Sequence, residues 1–251
     1  MQFMGRRYFS YVVVVLGFVA LSFSVSTGPK VIMVGDSTMA DKPEKALPEN
    51  GWGMALLQEL NPGIELKNFA RNGRSSKSFF DEGSWAKAAA SISPGDYVII
   101  QFGHNDEKDQ DTTRYTIPRT TYKDYLRKYI TDTRNKRGVP VLCTSIVRRK
   151  FDKSGDLLST HGDYPEAMRE LAVEMNVWLV DLEKLTAAAV QAAGPEQSRH
   201  YYMNLAPGEH PNFPDGKEDN THLQVKGAAM VADLFVREVK KMQWPLSRCF
   251  K

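Results

Sequence analysis

Cysteine is almost absent from this chain: Cys143 and Cys249 are the only two in 251 residues. Two thiols can form one bridge at most, which excludes a disulfide-stapled scaffold. Cys143 falls in an apolar, strand-like run and Cys249 lies two residues from the C-terminus, so two unpaired thiols fit at least as well as one bridge. There is no CxxC pair, and the five histidines form no cluster, so the usual sequence signs of a metal site are missing. Charge of one sign is also scarce. Lys and Arg number 33 against 30 Asp and Glu, a formal balance of +3, which points to neither nucleic acid nor a membrane surface as partner.

Long apolar runs are equally rare. Tyr11 to Phe23 stands out, preceded by Arg6 and Arg7 and followed by the small residues Ser24 and Ser26. The run is shorter than the roughly 20 residues of a spanning helix, and the layout is that of a secretory signal peptide over residues 1–26. No cysteine follows it to take a lipid. Removing it takes away two arginines and no acid, so +3 becomes +1 for residues 27–251. The expectation is a secreted or periplasmic protein of one domain, monomeric and free of the membrane after cleavage.

Beyond that segment, short apolar runs alternate with longer stretches of helical period. Val31 to Val34, Ile64 to Phe69, Tyr97 to Phe102, Val139 to Ser145 and Val177 to Val180 read as strands. Most are continuously apolar, as strands covered by helices on both faces must be. Helices are predicted over Trp52–Leu60, Trp85–Ser91, Tyr122–Lys136, Pro165–Glu174, Leu182–Ala193 and Val225–Lys241. The alternation specifies an α/β sandwich on a five-stranded parallel sheet. Asp106 to Thr120 and Ser198 to Asn220 read as irregular, and loops of that length usually carry function or are disordered.

Polar punctuation falls where the strands end. Gly35-Asp36-Ser37, Asn72-Gly73-Arg74 and Gly103-His104-Asn105-Asp106 follow the first three strands. In a parallel sheet these ends meet on one edge, where open α/β sheets bind ligands. Near the C-terminus, Asp219 precedes His222 by three residues, close enough for its carboxylate to turn back to the Nδ1 hydrogen and leave Nε2 free. Ser37 then reads as nucleophile and His222 as base, with Asp219 orienting the base. The backbone N–H of Ser37, the backbone N–H of Gly73 and the side-chain amide of Asn105 are the candidate oxyanion donors. Each residue also has a plainer reading: Ser37 and Asn105 as caps, Gly73 as a turn glycine, Asp219 as a loop carboxylate. Asp36 reads as a supporting carboxylate or helix cap, His104 as structural.

At these blocks the sequence resembles the SGNH, or GDSL-like, hydrolases, whose name spells Ser37, Gly73, Asn105 and His222. Gly35 to Ala40, Asn72 to Phe79, Asp81-Glu82-Gly83, Gln101 to Asp106, Thr160 to Pro165 and Thr221-His222-Leu223 are similar to the rhamnogalacturonan acetylesterases, carbohydrate esterase family 12. The resemblance runs from Lys30 to about Lys241. It implies a three-layer α/β/α sandwich of flavodoxin-like strand order 2-1-3-4-5, no cofactor, and deacetylation of a plant cell-wall polysaccharide. The same chemistry on acetylated xylan, or on lipid or thioester substrates, is the alternative, as is a non-catalytic sugar-binding protein on the same scaffold. A pectic backbone is anionic, so Arg71, Arg74 and Lys77 are candidates to face it, unless they form only a solvated basic face. Trp52 and His161 are candidates to touch sugar.

Overall fold

The structure, a computed structural model, describes residues 28–251. The predicted signal segment lies outside the described residues. β1 (Val31–Gly35), β2 (Leu66–Asn68), β3 (Tyr97–Gln101), β4 (Val139–Cys143) and β5 (Trp178–Val180) form one sheet of order β2-β1-β3-β4-β5, every pair parallel. That is the order the family resemblance implies.

The continuous apolar strands explain why there are three layers. Successive side chains on a strand point to opposite faces. Val31, Met33, Tyr97, Ile99, Val141 and Cys143 enter one core, while Ile32, Val34, Val98, Ile100 and Leu142 enter the other. The first core is closed by α1 (Trp52–Glu59), α6 (Leu182–Gln197) and α7 (Val225–Lys241) through Leu56, Val190 and Phe235. The second is closed by α2 (Ser76–Asp81), α3 (Ser84–Ala90), α4 (Lys123–Asn135) and α5 (Tyr164–Glu174) through Phe79, Trp85, Leu126 and Met168. Cys143 and Cys249 are both unpaired and buried.

Some elements depart from the sequence reading. The irregular stretch after Ser198 contains an antiparallel pair, β6 (Tyr202–Leu205) and β7 (Lys217–Leu223). Its second strand, Lys-Glu-Asp-Asn-Thr-His-Leu, is polar and only half-buried, so it carries no apolar alternation to read. Helix α2 is six residues long and serine-rich, formed by a reciprocal Ser75–Ser78 capping box rather than by periodicity. Helix α6 is broken at Gly194, where φ is 71°, directly after the predicted helix Leu182–Ala193 ends.

The hairpin is seated on α7 by a close approach. The amide of Gln224 donates to Tyr201 O at 3.0 Å, and a Cβ on Gly227 would lie 1.9 Å from that carbonyl. Alanine is ordinarily the better helix former, by about 1 kcal/mol. Here the opposite holds: Gly227→Ala should destabilise by about 1–3 kcal/mol, the usual cost of overpacking against backbone, and urea unfolding measures it. A mutant as stable as the parent would refute this packing.

Candidate active site

β1 ends in a turn held by its own acid. Asp36 Oδ1 accepts the Thr38 amide at 2.9 Å and the Thr38 hydroxyl at 2.8 Å, while the amides of Met39 and Ala40 return to Asp36 O. Ser37 is thereby placed just beyond the C-terminal end of β1, at the edge of the sheet where β3 also ends. Trp52 belongs to the support of this turn and not to a sugar subsite. It is fully buried, its Nε1 donates to Gln101 Oε1 at 2.6 Å, and Gln101 Nε2 reaches Thr38 Oγ1 at 3.4 Å. The expectation that Trp52 stacks on substrate is corrected accordingly.

The partners of Ser37 sit on β7. His222 Nδ1 donates to Asp219 Oδ2 at 2.8 Å, and Asp219 Oδ1 accepts the amides of Thr221 and His222 at 2.9 and 3.0 Å. Burial works to raise the Asp219 pKa, but the His222 side chain and these amides outweigh it and hold the carboxyl below the usual range. With the hydrogen on Nδ1, assigned from this network, the Nε2 lone pair faces Ser37 Oγ at 3.0 Å. A clamp that the sequence did not announce fixes the strand. Arg149 donates its amide to Asn220 O at 2.8 Å, Nη1 to Asn220 Oδ1 at 2.9 Å and Nε to Ser198 Oγ at 3.1 Å.

The donor loops are tied to one another. Asn105 Nδ2 donates to Arg74 O at 3.0 Å, which leaves its second hydrogen uncommitted. The buried Asp106 carboxylate accepts the Ser76 amide and hydroxyl and the Thr116 hydroxyl. Burial nevertheless pushes the Asp106 carboxyl up to about 7. Asn72 is held by the buried Lys42, whose Nζ reaches Asn72 Oδ1 at 2.8 Å and Glu49 at 2.7 Å. Gly73 adopts φ 74°, and a Cβ there would meet only Arg114 Nη1, at 3.8 Å, so conformation rather than crowding calls for glycine. Within the described residues, the amides of Ser37 and Gly73 donate to no protein acceptor.

A cleft of about 340 Å³ is bounded by Ser37, Asn105, Asp219, Thr221 and His222 together with His104, Lys108 and Arg148. The expected cations are not among its walls. Arg74 pairs with Glu82 at 2.8 Å, Arg71 donates to Ser84 Oγ at 2.8 Å, and Lys77 donates to Thr112 O at 2.7 Å. Lys108 and Arg148 stand there instead, in segments with no motif or periodicity to single them out. His161 is also corrected as a sugar contact: it is 1% exposed, its Nε2 donates to Ile146 O at 2.8 Å, and Arg148 Nη1 lies 3.3 Å from its Nδ1. Among the described residues, no three His, Cys, Asp or Glu side chains converge as metal ligands would.

A family model for the GDSL-like lipase/acylhydrolase family matches residues 33–229. The chain belongs to that family. It is 41% identical to rhamnogalacturonan acetylesterase RhgT of Bacillus subtilis (strain 168) over 217 residues, 86% of this chain and 92% of that protein. It is 35% identical to the probable rhamnogalacturonan acetylesterase YesY of the same organism, over 86% of this chain and 95% of that one. Among solved structures, protein YxiM of Bacillus subtilis superposes with a TM-score of 0.73 at 26% identity, covering 87% of this chain; the chain spans only 58% of that protein. The chain is a carboxylic ester hydrolase.

Beside the cleft, His104 is 3% exposed, and its Nδ1 lies 3.3 Å from Asp36 Oδ2, near enough for attraction but off the line of a hydrogen bond. Burial lowers its pKa to about 4, with Asp36 opposing and His161 reinforcing the shift. Unfolded, a histidine takes its proton near 6.5. Between about 6.5 and 4 the unfolded chain therefore binds the proton that the folded one refuses, so this contribution to stability is present above 6.5 and lost on acidification. Urea midpoints measured across that window should fall less steeply for His104→Gln than for the parent. Equal slopes would contradict the assignment.

Proposed function

We propose that this enzyme is an exported acetylesterase that removes O-acetyl groups from a pectic polysaccharide, rhamnogalacturonan foremost, through a Ser37-His222-Asp219 triad. The observation that carries the reading is the 3.0 Å contact between His222 Nε2 and Ser37 Oγ, continued through Nδ1 to Asp219. RhgT, with 41% identity, bears the name of a rhamnogalacturonan acetylesterase, which supports the substrate class. Export rests on the N-terminal pattern of residues 1–26.

Ser37 Oγ attacks the acetyl carbonyl as His222 Nε2 takes its proton. Negative charge on the carbonyl oxygen is met by the amides of Ser37 and Gly73 and by the uncommitted N–H of Asn105. His222 then protonates the departing sugar hydroxyl, leaving an acetyl-Ser37 ester. Water, deprotonated by His222, attacks this ester; as the tetrahedral adduct collapses to acetate, the His222 imidazolium gives its proton to the departing Ser37 Oγ. Throughout, Asp219 stabilises the imidazolium without itself taking the proton. The polar and cationic walls of the cleft suit a sugar better than a long acyl chain.

Ser37→Ala should lower kcat for acetate release by about 10⁴–10⁶-fold, and Asp219→Asn by about 10⁴-fold, with circular dichroism unchanged. An alanine variant that kept most of its activity would end the triad. Acetate release from acetylated rhamnogalacturonan should exceed that from acetylated xylan at equal acetyl content; the reverse order would remove the pectic substrate.

A further inference from the structure

The cations of the cleft are not equivalent. Arg148 is spent: its Nη2 pairs with Glu107 and approaches His104 O at 3.4 Å, while Nη1 approaches Thr160 O and His161 Nδ1, each at 3.3 Å. Arg114 is likewise matched by Asp111, at 2.6 Å from Nε. Lys108 differs. Among the described residues its ammonium makes no ion pair and no hydrogen bond, although its backbone is fixed by its amide to Asn105 O at 3.3 Å and by the buried Asp106 before it. Lys108 also lines two spaces. One is the cleft that holds Ser37 and His222; the other is an adjoining depression of about 350 Å³ formed with Asp109, Gln110, Asp111 and Arg114. It therefore stands where a polymer would leave the catalytic serine. Asp109 borders only the outer depression.

Resting on the pectic reading above, we propose that Lys108 is a specificity-determining residue whose ammonium pairs with the carboxylate of a uronic acid unit held in the cleft, on the acetylated sugar or its neighbour. A mobile, uncommitted ammonium at the rim can follow a carboxylate, whereas the two guanidiniums are already locked to acids. Those guanidiniums still contribute through space. Partial burial together with Arg114 and Arg148 holds the Lys108 ammonium below the usual lysine range, although Glu107 and Asp111 oppose them, and an incoming anion relieves that crowding of positive charge.

The test compares kcat/KM for acetylated oligogalacturonides with kcat/KM for acetylated xylooligosaccharides, which carry no carboxylate. Lys108→Ala should lower the ratio of the two by about tenfold, through KM, as loss of one charge-assisted contact does, and Lys108→Glu should lower it further. Sodium chloride should raise KM for the uronate substrate in the parent and do so less in Lys108→Ala. Lys136→Ala, at an exposed position that ends α4 just before the start of β4 and so at the opposite end of the sheet from the cleft, should leave the ratio as it is. If the parent deacetylates oligogalacturonides and Lys108→Ala keeps the ratio and the salt response, the Lys108 assignment is overturned while the pectic substrate stands. A parent that is inert on every acetylated uronate overturns both.

Discussion

Everything at the site depends on one hydrogen bond, His222 Nε2 to Ser37 Oγ, between residues 185 apart in the chain. Neither partner can be moved to suit the other by a side-chain adjustment alone, because each is fixed to its own piece of backbone. Ser37 sits in a turn closed by Asp36 and braced by Trp52 and Gln101. His222 sits on a strand held by Asp219 and Arg149. The distance between them is set by how the β6–β7 hairpin seats on α7, and α7 in turn closes one of the two cores. Core packing thus determines the alignment of the reacting groups, where errors of an ångström cost orders of magnitude in rate.

The sheet supplies the other half of the arrangement. Parallel pairing brings the ends of β1, β2 and β3 to one edge, so Ser37 and Asn105 share the wall of the cleft although 68 residues separate them, and the turn of Gly73 lies on the same edge. The connections between them are more than spacers. Asn105 binds Arg74, Asp106 binds Ser76, and Lys42 binds Asn72, so each donor loop is tied to another loop or to the turn region before α1. Such cross-ties fix the direction of the N–H groups to which the proposed mechanism assigns the developing charge.

Much of this was legible in the sequence, for identifiable reasons. The strands declared themselves because both faces are buried, which leaves no polar alternation in Val31-Ile32-Met33-Val34 or in Val98-Ile99-Ile100. The residues brought together at the edge were legible because turn chemistry and catalytic chemistry use the same short polar blocks. What stayed hidden depends on tertiary contact. β7 is polar, and it is a strand because β6 pairs with it. Trp52 reads as a candidate to touch sugar, although Leu56, one turn along the same helix, marks the buried face they share. The burial of His161 rests on the Ile146 carbonyl 15 residues away, and the cations after β2 are held by groups 8 to 35 residues distant, Arg74 by Glu82, Arg71 by Ser84 and Lys77 by Thr112 O. Lys108 lies in the irregular stretch Asp106 to Thr120, but nothing local marks which of 33 basic residues, Arg148 among them, will face a cleft.

The direct test of the relay is covalent. A small organophosphate such as a dialkyl fluorophosphate reacts with a serine hydroxyl only where a neighbouring base removes the proton. Intact-mass analysis with peptide mapping should find one phosphoryl adduct per chain, on Ser37, with activity lost in proportion and the adduct absent in His222→Ala. An inactivated enzyme labelled on another residue, or equally rapid labelling of Ser37 without His222, would contradict the account.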